Sequence, residues 1–383
     1  MKLAIIGRGT VGAITAAHFA TWTKDCTIDW YYDENIKTQA VGEGTTLILP
    51  RNLKNYFGFS YTDMKNLNGN YKYGIRKQNW GKTNHDFFHH FYSPNVAMHI
   101  DSYKLQEYIF NHLKGYNHVK IVSQNIKSYD DIDADHIIDC SGKPDNFDNF
   151  YMAQYMPLNS VYVTQCYWDK PDFDYTAAIA RKHGWVFCIP LQNRCSVGYL
   201  YNNTINDLND VKKDVQEVFS EYKLTPSDMT NAFSFSNYIR KVNFTERVSY
   251  NGNASFFLEP MEATSFVCAD YVNRTLYDYL FFNRKLDDCN NFFTNFLKDI
   301  ELMIAFHYTK KSKFNTKFWD FAYEKTKDVM PKLYSDENFL KCVNSITSHH
   351  FFTDKNPFGS WNERSWYENL IGLGYEIKGL DSE

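Results

Sequence analysis

The first twenty residues constrain this chain more than any other stretch. Met1-Lys2-Leu3-Ala4-Ile5-Ile6 is a short apolar run, followed at once by Gly7-Arg8-Gly9-Thr10-Val11-Gly12 and then by the alanine-rich segment Ala13–Ala20. Strand, glycine turn and helix form the context in which GxGxxG marks a dinucleotide site. Gly7 permits the tight turn, Gly9 lets backbone approach a pyrophosphate, and Gly12 lets the helix pack close to its strand. The helix start, with Thr10 and Val11, offers unpaired N–H groups and a partial positive charge to phosphate. The alternative is an ordinary glycine turn; placement between a leading strand and an alanine helix favours the nucleotide role.

A chain of 383 residues can hold one large domain or two smaller ones, and 44% hydrophobic residues support a real core. A net charge of −4 argues against a general nucleic-acid binder. No run of about 18 apolar residues suggests a membrane span, and the N-terminal apolar run is a strand rather than a secretory signal. The eight cysteines are scattered without a CxxC pair, which suits a reduced, cytoplasmic setting and gives no metal motif. Aromatic residues make up 18%. That figure fits either compositional bias, since Asn and Lys are also plentiful, or a pocket for flat ligands.

Further along, Cys26–Tyr32 reads as a second strand ending at Asp33-Glu34, about 20 residues past the glycines, where an acid accepts from ribose hydroxyls. Val41-Gly42-Glu43-Gly44-Thr45-Thr46 is a glycine-rich loop. Residues 47–110 mix short helices with the aromatic cluster Phe87–Tyr92, and Asp101–Leu113 has helical spacing. Strands are expected at 119–122, 134–139, 160–168, 184–189 and 195–201, with a polar helix near 208–222 and mostly helix from Asn273 onward. The expected division is a nucleotide-binding module over 1–280, built from separated segments, and a helical part over 281–383.

Several stretches, in one order, make the chain resemble a flavin-dependent halogenase of the tryptophan-halogenase type. Gly7–Gly12 is similar to that family's FAD fingerprint, and Val41-Gly42-Glu43-Gly44-Thr45 to its VGEAT-like loop. Gly184-Trp185-Val186-Phe187-Cys188-Ile189-Pro190 resembles GWxWxIP, and Glu259-Pro260-Met261-Glu262-Ala263-Thr264-Ser265 resembles EPLESTG. Gly69–Ile75 is similar to the segment bearing the family's essential lysine, here Lys72, and Asp139–Gly142 and Gly372–Tyr375 also have counterparts. The resemblance implies a mixed α/β fold: a Rossmann-type, flavin-monooxygenase-like FAD module with a mostly helical C-terminal substrate part.

It also implies a mechanism. Reduced FAD and O2 give a flavin hydroperoxide that oxidises halide to hypohalous acid, which then halogenates an electron-rich indole or phenol. Lys72 is implied as the residue that holds the electrophilic halogen, a task an ammonium can perform by hydrogen bonding. Glu262 is implied as the carboxylate that orients it or takes the proton lost on rearomatisation; a helix-start acid is the structural alternative. Thr264 and Ser265 correspond to the pair whose amides cradle the halide. Asn253 and Phe266 are placed against the flavin, with Asp33 the candidate ribose acid and Gly42, Glu43, Gly44 and Thr45 the strap. His89, Phe91, Trp185, Trp366 and Tyr367 correspond to aromatic residues around the substrate, with core packing as the competing role. The implied partners are a small aromatic substrate and a separate NAD(P)H-dependent flavin reductase. No second nucleotide fingerprint is present, and a homo-oligomer is compatible with the sequence.

The chain departs from the pattern at several points. Phe187 replaces the second signature tryptophan, Ala263 the serine beside Glu262, and Ser265 a glycine of the halide cradle. Gly252-Asn253-Ala254 replaces GDA, and Tyr32 stands where an ungapped match expects the ribose acid. The sequence ends soon after Gly374, whereas tryptophan halogenases continue, so a more open pocket with bromide or iodide favoured is expected. A flavin-dependent aromatic hydroxylase would need neither Lys72 nor Trp185. A catalytically decayed flavin-binding protein would not retain Lys72, Glu262 and Trp185 together.

Overall fold

The computed structural model describes residues 1–36, 43–81, 86–91, 96–168, 172–347 and 357–377. The chain forms two compact units, each assembled from three segments. One comprises Met1–Gly69, Met98–Met152 and Tyr238–Leu297; the other comprises Asn70–Ala97, Ala153–Asn237 and Lys298–Glu383.

The first unit is built on a five-stranded parallel sheet in the order Val248–Tyr250, His136–Asp139, Lys2–Ile6, Thr27–Tyr32, Val119–Ser123. The leading strand is central, which is why Leu3 to Ile6 are all buried: a parallel strand covered on both faces reads as a continuous apolar run. The helix Thr10–Trp22 is buried from Gly12 through Ala20. Small side chains on every face let it lie in the interior rather than present one stripe. The helix Ser102–Leu113 is amphipathic, burying Leu105, Ile109, Phe110 and Leu113. It starts where expected because the Asp101 carboxylate accepts from the amides of Tyr103 and Lys104.

The second unit carries a seven-stranded sheet in the order Thr225–Ser234, Ser160–Tyr167, Arg194–Tyr201, Gly184–Pro190, Thr176–Arg181, Gly74–Gln78, Phe87–His90. Every pair is antiparallel except Thr176–Arg181 with Gly74–Gln78. The helix Leu208–Glu221 covers one face, seating Val211, Val215, Val218 and Phe219 on Cys166, Ile179, Val186 and Val197. Helices Lys317–Thr326, Val329–Ser335, Glu337–Thr347 and Glu363–Gly372 complete this unit.

Three sequence expectations change. Thr176–Arg181 and Thr225–Ser234 are strands that the apolar pattern does not announce. Phe87–His90 is an edge strand rather than a cluster among short helices. The first long C-terminal helix begins at Ser265, well before Asn273. All eight cysteines are free thiols. Among the described residues no helix is long and apolar enough to cross a membrane, and no cluster of His, Cys, Asp and Glu could hold a metal ion.

Candidate active site

In the first unit the three fingerprint glycines have three distinct surroundings. Gly7 has φ +105°, and a Cβ there would lie 2.4 Å from the Cys140 carbonyl oxygen. A Cβ at Gly12 would lie 2.2 Å from the Gly7 carbonyl oxygen, so the helix can start this close to the turn only without a side chain. At Gly9 a Cβ would meet nothing within 4 Å. That open face sits at the N-cap of Thr10–Trp22, which has no side-chain cap. An uncapped helix start beside open space leaves backbone N–H groups that could take an anion such as phosphate.

Of the other expected cofactor stretches, the one around Asn253 lies against this turn. Gly252, at φ +59° in the 3-10 turn Gly252–Ala254, packs against the Val11 side chain, which brings Asn253 to the helix start. The Asn251 side-chain amide donates to Thr15 Oγ1 at 3.2 Å, to the Ala269 carbonyl at 3.1 Å and to Asn273 Oδ1 at 2.9 Å. This buried network ties the fingerprint helix to the helix Ser265–Phe282, whose first turn carries buried Phe266. Gly44 bridges to His99, the Thr45 amide donates to the Met98 carbonyl at 3.0 Å, and the Glu43 carbonyl accepts from Ile100 at 2.9 Å. Gly42 lies outside the described residues.

Asp33 lines a cavity of about 320 Å³ with Arg8, Tyr32, Gln106 and Glu107. Its carboxylate accepts from the Asn35 amide at 2.9 Å and the Asn125 side chain at 2.6 Å. The hydrogen bond from the Asn35 backbone amide, helped by the Asn35 and Asn125 side chains, holds its pKa below the usual value despite the opposing effect of desolvation.

Glu262 is buried but is not a helix-start acid. It has φ +68°, Ala263 follows at φ +53°, and the helix begins only at Ser265. Two successive left-handed residues cost about 1–2 kcal/mol each. They turn the backbone so that the Thr264 and Ser265 amides open a helix whose N-cap, Thr264, makes no side-chain cap. Turns of this kind can present backbone N–H groups to an anion.

In the second unit Lys72 closes the strand Asn70–Lys72 and is fully buried. Its Nζ lies 5.2 Å from the centroid of the Phe91 ring. Phe91 meets His89 edge-on at 5.3 Å, and His89 meets Trp361 at 5.4 Å while sharing a 2.8 Å hydrogen bond with Ser365. Lys72, Phe91 and His89 are thus brought together. Trp185 is buried, 6.3 Å from Trp80, and its indole N–H has no hydrogen-bond partner among the described residues. A buried donor left unsatisfied costs about 1–3 kcal/mol. Trp366 has a core role: it is fully buried, donates to the Phe358 carbonyl at 3.1 Å, and packs on Phe306, Phe339 and Trp361. Tyr367, next to it on the helix Glu363–Gly372, is only half-buried.

A second buried lysine escaped the sequence reading. Lys77 Nζ sits 2.8 Å from His307 Nε2, donates to Asn369 Oδ1, and lies 5.1 Å from the Trp361 ring. His307 Nδ1 faces the Met303 and Ile304 carbonyls at 3.2 and 3.1 Å, so it carries the ring hydrogen and Nε2 accepts from the ammonium.

The family model for tryptophan halogenases matches residues 2–126 and 112–382. The chain belongs to the tryptophan halogenase family. It is accordingly a flavin-dependent halogenase, and the family implies FAD as its cofactor. Solved structures share the fold. Against a tryptophan 6-halogenase, SttH, from Streptomyces toxytricini the TM-score is 0.80 at 17% identity, covering 98% of this chain and 91% of that one. Xcc4156, a flavin-dependent halogenase from Xanthomonas campestris, gives 0.81 at 18% identity, with 98% and 89% covered. BrvH, a flavin-dependent halogenase from Brevundimonas sp. BAL3, gives 0.77 at 18% identity, with 98% and 90% covered. The residues present fit the family's cofactor. The open Gly9 face and the uncapped helix suit a pyrophosphate, and the cavity beside Arg8 suits the adenosine end.

Proposed function

We propose that this halogenase acts on a small electron-rich aromatic of indole or phenol type, using bromide or iodide in preference to chloride. Reduced FAD, delivered by a separate NAD(P)H-dependent reductase, supplies with O2 the oxidising equivalent that makes halide electrophilic. Gly9, Thr10 and Val11 hold the pyrophosphate, while Glu43–Thr45, Asn253 and Phe266 lie along the rest of the cofactor. The Thr264 and Ser265 amides hold the halide. Lys72 hydrogen-bonds the hypohalous acid and presents its halogen to the arene. A ring carbon forms the new carbon–halogen bond, oxygen leaves as water or hydroxide, and Glu262 accepts the ring proton.

The observation that carries this reading is the burial of Lys72 beside Phe91 and His89. A strand lysine without a task would reach solvent; Lys72, held dry beside two aromatic rings, could meet a flat substrate, which the family match to its segment favours over a packing role. Bromide and iodide shed hydration and lose electrons more easily than chloride, which sets the expected halide order.

Lys72→Ala tests the assignment: halogenated product should vanish while FAD affinity and hypohalous acid release persist. A variant that still halogenates at near wild-type rate removes Lys72 from the chemistry. Competition among chloride, bromide and iodide, scored by product mass, tests the halide order; exclusive chlorination defeats it.

A further inference from the structure

The strand Thr27–Tyr32 ends without an acid in register, and the Asp33 carboxylate is taken up by Asn35 in its own turn and by Asn125 just past the strand Val119–Ser123. The cavity beside it is nevertheless charged, and the organised charge comes from elsewhere. Arg8, the variable residue between the first two fingerprint glycines, lays its guanidinium 3.7 Å from the Phe110 ring centroid and 5.1 Å from that of Tyr32. Its Nη2 donates to Glu107 Oε1. Glu107 stands on the helix Ser102–Leu113, next to Gln106, whose side chain donates to Thr10 Oγ1 at 3.0 Å. That bond sets the helix against the fingerprint, and the stacked arginine fixes the carboxylate at the cavity wall.

We propose that Glu107, positioned by Arg8, accepts the adenosine ribose hydroxyls of FAD in this chain, in place of an acid at the end of the second strand. The proposal rests on the FAD-binding reading above. A carboxylate offers about four acceptor sites. Arg8 occupies one oxygen and leaves room for a vicinal diol on the other. Glu34 also lines the cavity and is exposed like Glu107, but among the described residues it lacks the ion pair to Arg8 that orients Glu107. Arg8 is the better anchor because a planar guanidinium can stack on a ring and donate in its own plane at once.

The test is equilibrium titration of the full chain with FAD and with its 2′,3′-dideoxyadenosine analogue, read by flavin fluorescence. Wild-type protein should prefer FAD by about tenfold or more, the scale of hydrogen bonds to a charged acceptor. Glu107→Ala should weaken FAD binding by that factor and bind the two ligands alike, because residue and hydroxyls then report one interaction. Asp33→Ala and Glu34→Ala should keep the wild-type preference. Arg8→Met should shrink it, since Glu107 loses its position; a full preference in that variant would remove Arg8 from the assignment. The proposal falls if Glu107→Ala keeps the preference, if Asp33→Ala or Glu34→Ala abolishes it, or if the wild type shows none. Failure of the wild type to bind FAD at all would instead defeat the cofactor reading beneath it.

Discussion

The same methyl group added at two fingerprint glycines should do opposite things. Gly9 has φ −62° and ψ 174°, a conformation any residue adopts, and its Cβ would meet nothing within 4 Å. Gly9→Ala should therefore leave the apoprotein as stable or raise its stability by about 0.4–1 kcal/mol, through the lower entropy of the unfolded chain. At Gly12 the Cβ would come within 2.2 Å of the Gly7 carbonyl oxygen, more than an ångström inside contact with backbone. Overpacking of that kind costs about 3 kcal/mol at the upper end of its usual range. Replacing a helical glycine by alanine returns about 1 kcal/mol, so Gly12→Ala should lose about 2 kcal/mol net. Cofactor binding should follow another order: the larger Gly9→Val fills the face open to the pyrophosphate and should weaken FAD by tenfold or more, although the variant folds. Urea denaturation of the apoproteins together with FAD titration separates the two effects. Equal destabilisation by Gly9→Ala and Gly12→Ala would refute the packing argument, and wild-type FAD affinity in Gly9→Val would move the nucleotide site elsewhere.

Two further outcomes follow from the second unit. Lys77→Met removes the ammonium from His307 Nε2 and Asn369 Oδ1; losing these two buried, charge-assisted hydrogen bonds, partly offset by no longer burying a charge, should cost about 2–4 kcal/mol in urea denaturation. A variant as stable as wild type would show that the cluster is not a keystone, and Lys77→Met with Asn369→Leu should recover part of the loss. Asp299 has its carboxyl pushed up to about 7, first by burial and then by the charge of Asp336. The folded state therefore binds more protons than the unfolded one between the ordinary carboxyl pKa and about 7, so Asp299 lowers stability progressively as pH rises through that window. Asp299→Asn should flatten that part of the stability–pH curve; an unchanged slope would contradict the assignment.

Much of the first unit is legible from local order alone. A leading apolar run, three glycines at fixed spacing and an alanine helix specify a parallel strand–turn–helix because each cue acts within a few residues. Asp101 announces the start of its helix in the same way, by capping amides two and three residues on. Family resemblance singled out Lys72 and Glu262, but not their conformations. Glu262 and Ala263 are left-handed although neither residue type prefers it, because the packed elements on either side dictate that turn. The strand Thr225–Ser234 is polar and almost wholly exposed, so no alternation could reveal it; its pairing with Ser160–Tyr167 defines it. Lys77 reads as one more charge in a charged run until the fold brings up His307, 230 residues away, and Asn369, 292 residues away. Arg8 and Glu107 likewise gain meaning only when helix and glycine turn meet across 99 residues. Backbone periodicity and turn chemistry are written in neighbouring side chains, whereas the charge environment of a buried group is set by whichever distant residues the packed core places against it.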